Sequence, residues 1–462
     1  MEAIESVILA AGQGKRMKSS FPKALHCVAG KPMISYSLDL IKALKIKQGI
    51  VVIGHQAEEV KNELSGIYKD LIYVYQEEQL GTAHALQQTK PFLSRSTEVI
   101  LVLSADVPLL RTSTIRKMIL HHVKNKLSCT LLTANFEKPE GYGRIVRDQD
   151  KRISGIIEQA DLARGQDQIK EVNAGVYCFN RRDLFNALSL VVQDNKQKEY
   201  YLTDVIKILA AKGYPIGSIA VKENQEIIGV NTRSDLANVS KIFFKRNLEY
   251  HMTNGVTVID PESTFIDGHV KIGQDTIIYP FTIITAGSEI GKDCHIGPYS
   301  HIINSCVGQE SRVHSSVIEK SKIGERVMIG PYSHLRPDSM IGDSVKIGNY
   351  VEIKKTIIGN ESKVSHLTYL GDATLGQKVN IGAGTITCNF DGIKKNPTII
   401  EDGVFIGSNN ALVAPVTIGR HSYTAAGSTI TQDVPMESLG IARSRQKNIP
   451  GWVKREKKQE TQ

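Results

Sequence analysis

Two stretches of the chain concentrate residue types that do chemistry. In the first, the apolar run Val7-Ile8-Leu9 leads into Ala10-Ala11-Gly12-Gln13-Gly14-Lys15-Arg16-Met17. Glycines at a strand-to-helix turn let backbone N–H groups close around an anion, and Lys15 and Arg16 add charge, so the chemistry implied is phosphate binding. Lys23, in Phe21-Pro22-Lys23-Ala24-Leu25, follows within reach of the same phosphates. A dinucleotide fingerprint would need a third glycine where Met17 stands, and a P-loop needs Gly-Lys-Ser/Thr, so neither fits. The glycines alone would suit an ordinary turn equally well. In the second stretch, the segments HLRP, YVEIKK, SHLTYLGD, VNIGAGT and TCNFDG between residues 334 and 390 carry more charge and amide than structural corners need. Among 13 histidines, His366 stands out between Lys363 and Tyr369, one turn of the repeat from Lys354. An imidazole, with an unperturbed pKa of about 6.5, accepts a proton near neutrality. His295, His301, His314 and His334 read as solvent-facing corners, and Lys354-Lys355 in isolation as a solvated pair.

Two kinds of element must position these groups, and the change comes near residue 250. Before it, short apolar runs (7–9, 50–53, 72–75 and 99–103) alternate with helix-like segments at 31–45, 56–64 and 112–124. That alternation predicts βαβ units around a largely parallel sheet covered on both faces, a Rossmann-like α/β domain. Residues 232–250 place Leu236, Val239, Ile242, Phe243 and Leu248 near helical spacing behind a Thr232 cap, which predicts a helical linker.

Beyond the linker, aliphatic residues recur every six positions at Ile266, Ile272, Ile278, Ile284, Ile290, Ile296 and Ile302, and the rhythm resumes from Ile323 to Ile353 and from Ile400 to Ile430. One inward aliphatic per short strand, three strands per turn, predicts a left-handed parallel β-helix of hexapeptide repeats. Glycine follows the aliphatic at positions such as 273, 291, 348, 359 and 407, read as tight corners. Residues 388–399 interrupt the repeat and should project as a loop, and the stretch from Pro435 is expected to leave the solenoid. The flat faces of so short a prism predict a homotrimer.

Composition narrows the class. The 462 residues are 41% hydrophobic and 23% charged, without an apolar run near the roughly 18 residues of a membrane span. The opening residues carry acids where a signal peptide has a basic region, so export is not expected. Six scattered cysteines, with no C-x-x-C pair, read as reduced thiols of a cytoplasmic protein. Of the net charge of +9, five units fall in the basic tail 443–462, so the body is nearly neutral and no nucleic-acid partner is implied.

The segments LAAGQGKRM, FPKALHCVAGKPMI, QEEQLGTAHAL, GYGRI, IIEQAD, EVNAGVY, EYYLTD and GVNTRSDL, followed by the solenoid, resemble in order those of the bacterial bifunctional N-acetylglucosamine-1-phosphate uridylyltransferase/glucosamine-1-phosphate N-acetyltransferases. The first loop fits a nucleotidyltransferase pattern L-x-x-G-x-G-x-R-M. The resemblance implies domains at 1–231 (uridylyl transfer), 232–250 (linker), 251–442 (acetyl transfer) and 443–462 (tail). It implies UTP and acetyl-CoA as co-substrates, Mg²⁺ as cofactor, and small-molecule partners only.

By the same resemblance, Arg16 and Lys23 hold phosphates, with Arg16 on the leaving pyrophosphate. Leu9, Ala10, Ala11, Gly12 and Ser104 line the nucleotide and sugar-nucleotide site. Gln76, Gly81 and Thr82 read uracil, and Gly143, Glu158 and Asn173 hold the N-acetylglucosamine. Asp106 and Asn231, which alone read as a turn aspartate and a loop cap, become Mg²⁺ ligands at the carboxyl edge of the sheet.

In the solenoid the resemblance assigns Arg336 and Lys354 to the phosphate of glucosamine 1-phosphate, and Tyr369 and Asn380 to its sugar. His366 becomes the general base, and Glu352, on the preceding part of the solenoid, is read as orienting His366 or the amine. Asn389, Phe390, Ala383, Ser408, Ala426 and Arg443 are assigned to acetyl-CoA. Three positions depart from the family: Lys15 stands for a frequent Thr, Ser104-Ala105-Asp106 for Tyr-Gly-Asp, and Phe390 for Tyr. One alternative is a sugar-1-phosphate nucleotidyltransferase of other specificity with a regulatory or oligomerising β-helix, which has no reason to retain Arg336, Lys354, His366, Asn380 and Asn389 together. A non-enzymatic assembly subunit would lack Arg16, Lys23 or Asp106, and all three are present.

Overall fold

The computed structural model describes residues 4–453, so Lys454–Gln462, nine of the 20 residues of the predicted basic tail, lie outside the described residues. The chain divides into two compact units at Phe243/Phe244, inside the helix Arg233–Thr253. The predicted Thr232 cap forms: its Oγ1 accepts from Asp235 N at 3.1 Å, while the Asp235 carboxylate accepts from Asn231 N and Thr232 N at 3.0 and 2.8 Å. This reciprocal capping fixes the backbone of Asn231.

In the first unit we label β1 (Ile4–Leu9), β2 (Gly49–Ile53), β3 (Leu71–Tyr75), β4 (Val99–Ser104), β5 (Cys129–Asn135), β6 (Arg144–Arg147), β7 (Ile153–Ile157), β8 (Glu171–Asn180) and β9 (Ile216–Ala220). The sheet runs β9-β5-β8-β4-β1-β2-β3, with β8 antiparallel to both neighbours and the β6–β7 hairpin appended to it. Successive residues point to opposite sides, and both sides are covered. Ile8, Val51 and Leu103 pack with helices Met33–Ala43, Ala57–Ser65 and Thr112–Lys124. Val7, Ile50 and Val102 pack with helices Thr82–Gln87, Arg181–Leu188 and Asp204–Ala211. That double coverage is why these strands are continuously apolar instead of alternating. The strand order reverses between β1 and β4, and their carboxyl ends are tied together by Ala105 N donating to Leu9 O at 3.1 Å. Such a reversal opens a ligand crevice at the carboxyl edge.

The second unit is the parallel β-helix expected of hexapeptide repeats. Coils stack in register as Ile278↔Ile296↔Val313↔Ile329↔Ile347 on one face, and Ile290↔Val307↔Ile323↔Ile341↔Ile358 on another. The aliphatic residues form one continuous core from Leu248 to Val434, with Ile272 partly buried. Two expectations are corrected. The chain does not leave the solenoid at Pro435: Tyr423↔Leu439 and Thr424↔Gly440 pair in parallel, and Thr429 N donates to Ala442 O at 3.1 Å. Most of the repeat glycines do stand where strand gives way to turn, and the structure shows what excludes bulk there. A Cβ at Gly273 would meet Lys292 N at 2.5 Å, and one at Gly407 would meet Ala426 N at 2.5 Å, so glycine is needed where one coil lies directly on the next. The left-handed corner residues are Tyr332, Tyr350, Leu367 and Asn409, among others. His295, His301 and His334 sit on strands, not corners.

Candidate active sites

In the first unit, β1, β4 and the loop before the Arg233–Thr253 helix converge on a cleft of about 570 Å³. Leu9, Ala10, Ala11, Gly12, Arg16, Lys23, Gln76, Gly81, Thr82, Ser104, Asp106 and Asn231 all line it. At its centre Lys23 Nζ donates to Asp106 Oδ2 at 2.5 Å and to Asn231 Oδ1 at 2.8 Å, and Arg16 Nη2 donates to the same Asn231 oxygen at 2.9 Å. Val230 N donates to Asp106 O at 2.9 Å, which holds the two loops side by side.

No group of three or more His, Cys, Asp or Glu able to hold a metal occurs among the described residues. Asp106 and Asn231 nevertheless aim one oxygen each at a single cationic nitrogen. A pair of hard oxygens converging on a point of positive charge fits a hard divalent cation that completes its shell with phosphate oxygens and water.

Gln76 is buried, and its Nε2 donates to Gly81 O at 3.0 Å. Gly81 has φ 112°, and a Cβ there would meet Tyr200 O at 2.6 Å, so glycine is required where Leu80–Ala83 lies on the Tyr200 segment. Leu202 N donates to Thr82 Oγ1 at 3.0 Å in the same contact. Gln13, Gln79, Gln197 and Glu199 also line the cleft and were not singled out from sequence. Gln197 and Glu199 carried a signal, since they precede and open the EYYLTD segment. Of the departures, Ala105 is accommodated: its side chain is buried and its backbone holds Leu9.

Gly143, Glu158 and Asn173 form a separate cluster not among the lining of that cleft. Asn173 N donates to Gly143 O at 2.9 Å, and Asn173 Nδ2 to Tyr177 OH at 2.7 Å across a bulge in β8. Glu158 Oε1 accepts from Thr203 Oγ1 at 3.0 Å, and burial pushes its carboxyl up. Thr203 follows Leu202, which links this cluster to the cleft.

In the second unit the solenoid register decides what meets. His334, Glu352, Tyr369 and Ile386 stack on one face, with Arg336 and Lys354 beside them. Arg336 Nη1 donates to Glu352 Oε1 at 2.8 Å, which engages one oxygen of Glu352 on the face that carries Tyr369. The Lys395 ammonium lowers the pKa of Lys354, with Arg336 adding to the effect and Asp372 opposing it. This crowding of cations suits an anionic ligand. Lys395 was not singled out from sequence. It belongs to the projecting loop, which is closed by the Phe390↔Lys395 bridge and by Asn396 N donating to Asn389 O at 2.7 Å. Asn389 is buried at the loop base, its Nδ2 donating to Asp372 Oδ2 at 2.6 Å, while Phe390 is exposed.

His366 and Asn380 are not on that face. His366 pairs with Asn349, and Asn380 with Lys363. His366 is exposed and begins a column along one edge of the prism: Gly384 N bonds His366 O, Asn409 N bonds Ala383 O, and Gly427 N bonds Ser408 O. His366, Ala383, Ser408 and Ala426 therefore occupy the same place in successive coils. Arg443 is exposed after the last pairing.

The nucleotidyl transferase family matches residues 5–239, and the six-repeat bacterial transferase hexapeptide family matches three segments, 266–318, 320–355 and 397–432. The chain is 46% identical over 453 residues to bifunctional protein GlmU of Acetivibrio thermocellus, covering 98% of each. It is 48% identical to GlmU of a Geobacillus species over 97% of each chain, and 44% identical to that of Clostridioides difficile over 99% of each. The chain belongs to the bifunctional GlmU family, transferases of UDP-N-acetylglucosamine biosynthesis that join a nucleotidyltransferase unit to a hexapeptide-repeat acetyltransferase unit.

Proposed function

We propose that the first unit joins UTP to N-acetylglucosamine 1-phosphate in the cleft around Lys23, and that the second acetylates glucosamine 1-phosphate along the His366 edge, so that the second unit supplies the first. The observation that carries the first half is the convergence of Lys23, Arg16, Asp106 and Asn231. Attack of a sugar-phosphate oxygen on the α-phosphorus of UTP needs alignment and charge neutralisation more than covalent help. Lys23 and Arg16 neutralise the phosphates, with Arg16 toward the departing pyrophosphate. Asp106 and Asn231 would hold Mg²⁺, which when bound supplies charge for the triphosphate. Leu9–Gly12 and Ser104 wall the nucleotide, Gln76, Gly81 and Thr82 read uracil, and Gly143, Glu158 and Asn173 take the sugar.

In the second unit Arg336 and Lys354 hold the phosphate of glucosamine 1-phosphate, with Tyr369 and Asn380 on its ring. His366 removes the proton as the amine attacks the acetyl thioester. The column from His366 to Ala426 spans three coil steps, about 14 Å at a strand spacing of about 4.8 Å. Its small residues Ala383, Ser408 and Ala426 leave room for a pantetheine arm, with Asn389 and Phe390 near the acetyl end and Arg443 for a CoA phosphate. The edge that carries His366, Ser408 and Ala426 is exposed beside the Arg336 face, so a homotrimer in which a neighbouring copy covers that edge and completes the site is the fitting assembly. None of the six cysteines is in a disulfide, which suits a cytoplasmic location. Among the described residues no helix is long and apolar enough to cross a membrane.

The test is incubation with glucosamine 1-phosphate, acetyl-CoA, UTP and Mg²⁺, omitting each in turn and identifying products by mass. Omitting acetyl-CoA should stop at unreacted glucosamine 1-phosphate, and omitting UTP or Mg²⁺ should stop at N-acetylglucosamine 1-phosphate. Formation of another nucleotide sugar, or no acetylated product in the full mixture, would refute the assignment.

A further inference from the structure

Arg144 opens β6 and is only 1% exposed, one of the largest fully buried side chains in the protein. Its guanidinium has no ion pair among the described residues. Nη1 donates to Tyr142 O, Nη2 donates to Gln159 Oε1 at 3.1 Å, and Nε has no partner. A buried cation without a counter-charge is costly, and a methionine of similar length would fill the same space without that cost. The charge therefore calls for an account beyond packing.

The contacts supply one. Gln159 Oε1 accepts from Arg144 and also from Gly141 N at 3.0 Å. One guanidinium fork thus ties the Gly141–Gly143 loop to the Glu158–Gln159 turn. Those two segments carry Gly143 and Glu158, which approach so closely that a Cβ at position 143 would lie 3.4 Å from Glu158 Oε2 and 3.0 Å from Ile156 Cγ2. Backbone pairing of Arg144 with Ile157 brings the two segments side by side, and the fork adds a side-chain tie, because a planar group with parallel donors reaches a backbone carbonyl and a side-chain amide at once.

We infer that Arg144 is a positioning residue for the sugar end of the uridylyl-transfer site: through Tyr142 and Gln159 it sets the gap between Gly143 and Glu158 that receives the N-acetylated sugar phosphate. This rests on the reading that Gly143, Glu158 and Asn173 hold the sugar. The role is separate from that of Lys23 and Asp106, which face the phosphates in the cleft.

The test uses the full chain with Arg144→Lys, Gln159→Leu and the double variant, varying each substrate of uridylyl transfer in turn. Arg144→Lys keeps the charge and loses the fork. The KM for N-acetylglucosamine 1-phosphate should rise about tenfold, the scale of one charge-assisted hydrogen bond, while the KM for UTP stays within about twofold. The double variant should be no worse than the more affected single one, since both break the same tie. Selectivity for N-acetylglucosamine 1-phosphate over glucose 1-phosphate should fall in parallel.

Acetyl transfer by the second unit serves as the internal control for intact protein. Equal rises in both KM values, or additive effects in the double variant, would show a merely structural arginine and overturn the proposal. If Arg144→Lys fails to fold, Gln159→Leu decides alone, and an unchanged sugar-phosphate KM there overturns it. Glu158→Gln separates the two levels. If it too leaves the sugar-phosphate KM unchanged, the reading of the sugar site falls. If it raises that KM while Arg144→Lys and Gln159→Leu do not, only the role of Arg144 falls.

Discussion

Replacing Lys23 by methionine keeps the length of the side chain and removes the ammonium that Asp106 and Asn231 share. In the resting protein this deletes contacts of 2.5 and 2.8 Å, and the pair is partly buried, with side-chain exposures of 16% for Lys23 and 26% for Asp106. A charge-assisted hydrogen bond is worth about 1.5–3 kcal/mol, and partial solvation reduces that, so the cost to folding should be about 1–2 kcal/mol. The cost to catalysis should be larger. Removing one preorganised charge from a developing transition state raises the barrier by about 3–4 kcal/mol, or about 10²- to 10³-fold in kcat. Lys23 and a bound cation face the same two oxygens, so half-saturating Mg²⁺ for the residual activity should fall. Pyrophosphate release measures uridylyl transfer, and release of the CoA thiol measures acetyl transfer in the same preparation. A kcat within about threefold of the parent, or a parallel loss of acetyl transfer, would refute the argument that this contact is the phosphate-neutralising centre of the first unit.

His366→Ala should lower acetyl transfer about 10²- to 10⁴-fold and leave uridylyl transfer unchanged. Because the imidazole is exposed, the urea midpoint should not move, and a shifted midpoint would point to a structural role instead. His122 is buried, its Nδ1 3.0 Å from Thr130 Oγ1, and burial lowers its pKa to about 4. Its folded pKa lies below the unfolded value of about 6.5, so its contribution to stability is full above that pH and is lost as pH falls from about 6.5 to about 4. Urea titrations between pH 7 and 4 should show that slope, and His122→Gln should flatten it.

The solenoid was legible because each short strand repeats one physical requirement, an inward aliphatic, at a fixed interval. A second requirement was equally present and went unread. Two residues before these aliphatics stand small hydroxyls (Thr264, Thr276, Thr282, Ser288, Ser300, Ser311, Ser321, Ser333), all buried. All but Thr264 and Thr282 bond to backbone of adjacent coils, as when Ser311 Oγ donates to Gly324 O at 3.1 Å and accepts from Val327 N at 3.0 Å. The glycine positions and their intolerance of bulk were legible, but not its source, since coil-on-coil approach is a property of the stack and not of any one turn. The α/β unit was legible from its apolar runs, but the meeting of Lys23 with Asp106 and Asn231 joins residues 83 and 208 positions apart, and no local pattern encodes it. Only resemblance to whole relatives brought those three together. Glu352, read as orienting His366 or the amine, has a partner that neither route showed: the register pairs it with Tyr369, and its side chain accepts from Arg336.

The edge column carries the same lesson one step further. The partners Ile381↔Ile406 and Leu375↔Ile400 stay in register across the projecting loop. The loop therefore adds chain length without displacing Ser408 from its place above Ala383. A strict six-residue count loses the column at that interruption, whereas the hydrogen bond from Asn409 N to Ala383 O restores it. What the acetyl-transfer site needs, on this reading, is constancy of stacking and not of spacing. That is why an insertion carrying Lys395 could be accommodated beside Lys354 without breaking the edge on which His366 stands.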